Sequence, residues 1–196
     1  MTTASTSQQK VRGTSREHII DVSRVIIEDE GLERLTIRRI AETINRTQPA
    51  VYQHFASKDE ILAAVVVEGF VALVESLKRA AKGERASLTA IASAYVRFGL
   101  ERSNLYEVMF VAPPVIAFAV SDTPIPAQIA FQIFANAVAE SGRDPTQVRT
   151  VTEVVWGALH GLVMLSITKR LRPGRALHRA RLEQLTAVIV AMTEPT

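Results

Sequence analysis

The chain contains no cysteine. That excludes disulfides, thiolate metal sites and cysteine nucleophiles, and it suits a reducing compartment. Glycine is scarce, with 9 in 196 residues, and the apolar–polar alternation of half-buried strands is almost absent. No uninterrupted apolar stretch is long enough to cross a membrane. The longest late run, Val154 to Ile167, is broken by Gly157, His160 and Gly161 and falls short of the roughly 20 residues a spanning helix needs. The N-terminal MTTASTSQQKVRGTS is polar and has no signal-peptide core. The expectation is a cytoplasmic protein with no membrane partner. The patterns HExxH, GxSxG and Walker A are absent, and His18, His54, His160 and His178 are scattered along the chain. No catalytic residue, metal site or cofactor is therefore expected, and the chain does not read as an enzyme.

What is present is nearly half apolar, 47% of the residues. Alanine, leucine, isoleucine and valine recur at three- and four-residue spacing among arginine and glutamate. This predicts an all-α fold of about nine helices. The net charge of +3 decides little, but its distribution is informative. Residues 34–58 hold Arg34, Arg38, Arg39, Arg46 and Lys58 against Glu42 alone. The acids Glu28, Asp29, Glu30 and Glu33 lie just before. Such a locally basic face suits phosphate contact; the plain alternative is a set of solvated helix faces.

In chain order, residues 1–12 read as a disordered polar tail, in which Lys10 and Arg12 form either an inert end or a backbone-touching arm. A first helix is predicted from Ser15, its N-cap, to Glu30, with Gly31 ending it. Thr36 caps a second helix carrying Ile37, Ile40, Ala41 and Ile44 inward. Asn45 falls where a left-handed turn residue is needed. Thr47 then caps a third helix, with Pro49 in its first turn. Val51 and Phe55 point inward, leaving Gln48, Ala50, Tyr52, Gln53 and His54 outside. Two short helices meeting at a polar corner with this outer set make a helix-turn-helix, at 36–55. Gln48 can bond an adenine edge and Arg38 a guanine edge, while Pro49 and Ala50 can pack on thymine methyls. Thr36, Arg46, Thr47, Tyr52, His54 and Lys58 suit phosphates. For Tyr52 the competing reading is a half-buried brace, and for His54 it is a structural cap.

The run LTIRRIAETINRTQPAVYQHFASKDEIL, with its Tyr-x-His-Phe and Ser-Lys-Asp-x-Ile-Leu signatures, resembles the DNA-binding domain of the TetR family of transcriptional regulators. The resemblance spans about Val11 to Phe70. TQPAVYQHF is similar to a recognition helix of that family down to its Gln-Pro pair. Asn45 and Arg46 depart from the family's usual Gly and aliphatic residue. Asn tolerates the turn, and Arg46 must reach outward. The resemblance implies that Arg38, Gln48 and Tyr52 approach DNA.

Ser57 with Glu60 predicts a capping box opening a long fourth helix to about Ala80. Such a helix leaves the small domain and enters the next, which gives domains of 13–73 and 74–196. Further helices are predicted at Leu88–Arg102, broken by Asn104, then a short one through Tyr106 and Phe110, then Ala127–Ser141, Pro145–Thr168 and Leu177–Met192. A proline-bracketed loop from Pro113 to Pro126 holds Phe118. Tyr95, Phe98, Met109, Phe110, Phe118, Phe131, Phe134, Trp156, His160 and Met164 supply rings, thioethers and an imidazole. They can line a ligand cavity or form ordinary core. The basic segment 169–181, six cations and no acid, reads as a solvated loop or a second nucleic-acid contact. Trp156-x-x-x-His160-Gly161 resembles the C-terminal domain of one TetR branch. The family likeness implies a ligand-binding and dimerisation domain, a homodimer through the last two helices, and a palindromic double-stranded DNA operator. It also implies a small, largely apolar or aromatic effector that releases a repressor. The alternative is a DNA-binding regulator controlled by a protein partner.

Overall fold

The computed structural model describes residues 15–82, 88–112, 116 and 121–193. Phe118, the N-terminal tail with Lys10 and Arg12, and half of the proline-bracketed loop lie outside them. Among the described residues the fold is all-helical, with nine α-helices and one 3-10 turn.

The first three helices are short because each is stopped by a local signal. Helix α1, Arg16–Glu30, starts where Ser15 Oγ accepts from the His18 amide, and it ends at Gly31, φ 87°. A 3-10 turn, Leu32–Arg34, leads to α2, Ile37–Thr43, whose first turn is capped by Thr36 accepting from the Arg39 amide. The stop of α2 is a Schellman arrangement. Asn45 takes the left-handed position at φ 53°. Its amide donates to the Glu42 carbonyl and that of Arg46 to the Ala41 carbonyl. Helix α3, Gln48–Tyr52, follows at once, with Thr47 extended at its N-cap and Pro49 in the first turn.

Helix α4, Lys58–Ala80, is the longest. Ser57 Oγ accepts from the Glu60 amide, while the Glu60 carboxylate accepts from the Ala56 amide, one residue earlier than a standard capping box. Its buried positions run from Ile61 to Leu77. It packs on α1 at one end and, further along, on α5, Leu88–Glu101, α6, Ser103–Phe110, and α7, Ile125–Glu140. Helix α8, Val148–Ile167, packs on α5 and α7, and α9, Arg175–Thr193, on α5 and α8. One continuous apolar core therefore extends from Ile19 in α1 to Ile189 in α9.

Two boundaries differ from the sequence expectation for physical reasons. The break between α5 and α6 falls at Arg102, φ −125° and ψ 48°, not at Asn104. Asn104 lies inside α6 because its Nδ2 donates to the Glu28 carbonyl at the end of α1, 3.0 Å away. Helix α8 begins at Val148, three residues after Pro145. Asp144 Oδ1 accepts from the Thr146 amide and hydroxyl and holds that segment as a turn.

Helix α8 is 20 residues long and, by length and composition alone, apolar enough to cross a membrane, yet only 28% of its apolar window is buried within the chain. Its uncovered apolar residues include Val154 and Leu165, and α9 leaves Val188 and Met192 exposed. Gly157 and Gly161 have nothing within 4 Å of where a Cβ would lie.

Candidate nucleic-acid interface and effector cavity

The helix-turn-helix corner presents its polar residues as a group because its apolar ones are anchored below. Val51 and Phe55 are 0% and 1% exposed, packed with Leu35, Ile40 and Ile61. Arg16 lies over the Phe55 ring, 4.6 Å from its centroid. Thr36, Arg38, Arg46, Thr47, Gln48, Pro49, Tyr52 and Gln53 are exposed, and Ala50, His54 and Lys58 are half-buried. Tyr52 is 52% exposed, well outside the range of a bracing core aromatic. Arg38 is engaged on its own helix, its Nε donating to Glu42 Oε1 at 2.7 Å. Arg39 instead reaches back to Glu30 Oε1 at 2.6 Å and ties α2 to the end of α1. Arg24 and Arg102 both reach Glu28, at 2.8 and 3.3 Å. The acidic end of α1 thus pairs with one arginine of its own helix, Arg24, and with Arg39 and Arg102 from elsewhere.

A cavity lies behind this corner, in the larger helical body. Its walls are Phe70 and Leu73 of α4, Tyr95 of α5, Phe110 of α6, Ala127, Ala130, Phe131 and Phe134 of α7, and Trp156 of α8. Its volume is about 70 Å3. Among the described residues, no charged side chain lines it. Of the residues expected to form a cavity, Tyr95, Phe110, Phe131, Phe134 and Trp156 are on the wall. Phe98 packs under Arg102, 5.6 Å from the guanidinium carbon. Met109 faces α4 at Gly69, where a Cβ would lie 2.7 Å from its sulfur. Met164 is half-buried against the core, off the cavity. Phe70, Leu73, Ala127 and Ala130 are wall residues that the sequence reading did not single out. The first two carried only the apolar spacing of a long helix.

The polar groups beside the cavity form a single chain of hydrogen bonds. Trp156 Nε1 donates to the Tyr95 hydroxyl at 2.8 Å. Tyr95 and Tyr106 hydroxyls are 2.7 Å apart, and the Tyr106 hydroxyl is 2.7 Å from His160 Nδ1. An indole N–H can only donate. The Tyr95 oxygen takes the indole proton and keeps a second lone pair, so either hydroxyl can donate between Tyr95 and Tyr106, and the tautomer of His160 sets which one does. Burial pushes the Tyr95 hydroxyl up to about 12 and the Tyr106 hydroxyl higher still. Burial lowers the His160 imidazole below its ordinary value. Both tyrosines therefore keep their protons at neutral pH. The rings reinforce the chain: Tyr95 meets Tyr106 edge to face at 5.9 Å, and Tyr106 stacks on His160 at 5.6 Å. Gly99 is what admits this arrangement. A Cβ there would sit 2.6 Å from Val163 and 3.0 Å from the Tyr106 ring.

Among the described residues, no group of three or more His, Asp or Glu could hold a metal ion. The basic segment after α8 forms a separate concave surface of Lys169, Arg172, Arg175, His178 and Arg181, within which Arg181 donates to the Arg172 carbonyl.

Comparison with known proteins agrees with both halves. Residues 19–65 match the profile of bacterial regulatory proteins of the TetR family, and residues 88–189 that of the tetracycline repressor-like C-terminal domain. The helix-turn-helix transcriptional regulator YobS of Bacillus subtilis is 28% identical over 98 residues, which is 48% of this chain and 51% of that protein. The chain thus spans about half the length of that relative. The class C tetracycline repressor protein of Escherichia coli is 42% identical over 50 residues, 26% of this chain and 23% of the repressor. A tetracycline repressor variant of Acinetobacter baumannii, solved with minocycline, superposes with a TM-score of 0.67 at 18% identity, covering 92% of this chain and 96% of its own, a likeness of fold. With both of its helical regions matched to that family's profiles, the second over more than half of the sequence, the chain belongs to the TetR family of transcriptional regulators.

Proposed function

We propose that this protein is a homodimeric, cytoplasmic repressor that leaves a palindromic DNA operator when a small, largely apolar or aromatic effector fills the cavity. The observation that carries the reading is the double role of α4. Its first residue, Lys58, stands beside the recognition helix, and its Phe70 and Leu73 are cavity wall. The cavity is about 70 Å3, roughly half of an apolar cavity that takes benzene. Even a single ring enters only if a wall moves, and α4 is one of the four helices besides α8 that form the wall. Displacing α4 would shift the reader it carries and change the separation of two readers in a dimer.

The reader would span 13–73 and the effector and dimer domain 74–196. Gln48 and Arg38 would read base edges, with Pro49 and Ala50 on thymine methyls. Thr36, Arg46, Thr47, Tyr52, His54 and Lys58 would hold phosphates, with Gln53 beside them. The uncovered faces of α8 and α9, with Gly157 and Gly161 open to close approach, suit a second copy of the chain. A dimer would place two recognition helices on two half-sites. The small volume of the cavity also favours a second reading, a regulator controlled by a protein partner with no small ligand.

The test is footprinting of the purified protein on DNA around its own gene, with and without small aromatic compounds, and sedimentation for the dimer. Protection of a palindrome that disappears with a compound is expected. Protection that no compound relieves would leave the partner-controlled reading, and no protection at any site would sink the DNA-binding half.

A further inference from the structure

The segment between α8 and α9 is folded back on itself. Lys169 follows α8 in the left-handed region at φ 57°. Its amide donates to the Ser166 carbonyl and that of Arg170 to the Leu165 carbonyl. From within α9, Arg181 donates back to the Arg172 carbonyl at 3.0 Å. The result is a groove of about 500 Å3 whose apolar part includes Leu100, Leu171 and Pro173. Lys169, Arg172 and Arg175 are exposed on it, while His178 and Arg181 are half-buried. Among the described residues no carboxylate lines this groove, and none of its four cations, Lys169, Arg172, Arg175 and Arg181, is in an ion pair.

Other cations of the same two helices are treated differently. Exposed Arg149 on α8 and Arg179 on α9 each donate to a carboxylate four residues on, at 3.1 and 2.8 Å. The groove instead gathers charges of one sign with nothing to offset them, and one of them, Arg181, is partly withdrawn from water. Both features disfavour the empty site. Lys169 adds a backbone cost, since it holds a left-handed position that glycine adopts without strain. Gly174 and Arg175 bring the start of α9, a helix of 19 residues, to the same wall. The first-turn amides of a helix have no partner within it and carry the positive end of its dipole. The helix end thus adds partial positive charge to a site that the side chains already define.

We infer that this groove is a binding site for a small molecule that carries two or more phosphates. A multivalent anion can span several of the cations at once, and the planar fork of arginine matches phosphate oxygens in pairs. The size fits as well, since small-molecule sites enclose roughly 300–1,000 Å3. The half-buried positions of His178 and Arg181 suit a ligand that enters the groove better than a duplex that lies across it. The groove shares no wall residue with the aromatic cavity, and the inference stands whether or not that cavity takes an effector.

The test is calorimetric titration of the full chain with inorganic pyrophosphate and with orthophosphate, at low ionic strength where charges are least screened. Pyrophosphate should bind at one site per chain, about tenfold or more tighter than orthophosphate. Arg172→Gln combined with Arg175→Gln should weaken pyrophosphate binding about tenfold or more. Arg149→Gln combined with Arg179→Gln removes the same charge from outside the groove and should change binding by about twofold at most. Thermal unfolding checks that both double variants are folded, and Lys169→Gln, which should also weaken binding, stands in if the groove variant does not fold. Absence of pyrophosphate binding overturns the inference, as does equal affinity for the two anions. So does an equal loss in the two double variants. A random-sequence duplex, followed by fluorescence anisotropy, should respond alike to both double variants. A larger loss of duplex affinity in the groove variant would make the groove a DNA contact and overturn the small-ligand reading.

Discussion

The two halves of the molecule treat polar groups in opposite ways. In the helix-turn-helix region, most of the candidate DNA-contacting side chains are exposed, and the helix caps are local. Ser15, Thr36 and Ser57 each cap the helix that follows them, and Arg38 and Arg24 pair with acids four residues on. In the larger body the central polar groups are buried or half-buried and come from far apart in sequence. Tyr95 meets Trp156 across 61 positions, and Tyr106 meets His160 across 54. A surface built from local signals can exchange partners, as a DNA-reading face must. Side chains bonded to one another inside the fold have no such freedom.

The largest effect that separates the halves should come from Phe55→Ala. Phe55 is fully buried in the reader and far from the cavity wall. The loss should be about 3–5 kcal/mol, read as the denaturant midpoint of unfolding. DNA binding should go with it. If binding of aromatic rings were lost as well while α7 and α8 stayed helical, the halves would not be separable in this way.

Next comes Gln48→Ala, which leaves the fold alone because Gln48 is exposed. Affinity for the specific site should fall roughly tenfold to a hundredfold, while affinity for unrelated DNA barely changes. An equal fall on both, in fluorescence-anisotropy titrations at one salt concentration, would make Gln48 a positioning residue and move base reading elsewhere on α3.

These two residues also mark what the sequence makes visible. Phe55 and Gln48 belong to a stretch in which caps, turn residues and four-residue spacing lie within a few positions of one another. The ends of α1, α2 and α4 could accordingly be read from Ser15, Gly31, Thr36, Asn45 and Ser57. The cavity depends on contacts between distant residues. Phe70 and Leu73 have the same apolar spacing as the rest of α4, and nothing local distinguishes a wall position from a core position. Phe98, Met109 and Met164 are apolar in the same way and lie elsewhere. Asn104 looked like a helix breaker by residue type, but its bond to the Glu28 carbonyl, 76 positions away, keeps it inside α6. The hydrogen-bonded chain from Trp156 to His160 needed the packing of α5, α6 and α8, of which only the Trp156–His160 spacing appears in sequence.

The hydrogen-bonded chain of the larger body has a pH signature at His160. Burial lowers His160 below the ordinary histidine value, about 6.5. As pH falls through that value, the unfolded chain takes up a proton that the folded state refuses. Stability is therefore full above about 6.5 and declines as the pH drops toward the lowered value. The midpoint of thermal unfolding should fall between pH 7 and 5 in the wild type, and fall less in His160→Leu. Identical slopes in the two proteins would show that His160 is as easily protonated in the fold as in water.

The smallest effect concerns the one base-reading candidate that is already engaged. Arg38 and Glu42 are exposed and bonded at 2.7 Å. To reach a guanine edge, Arg38 must leave Glu42, and Glu42 itself places a negative charge near the phosphates. An exposed pair of this kind contributes little to the fold. Glu42→Gln should therefore leave unfolding unchanged and strengthen operator binding about twofold at low salt, an effect that screening removes at high salt. Weaker binding by Glu42→Gln would mean that Glu42 holds Arg38 in the geometry it uses on DNA, and the pair would then be part of the reading surface rather than a competitor to it.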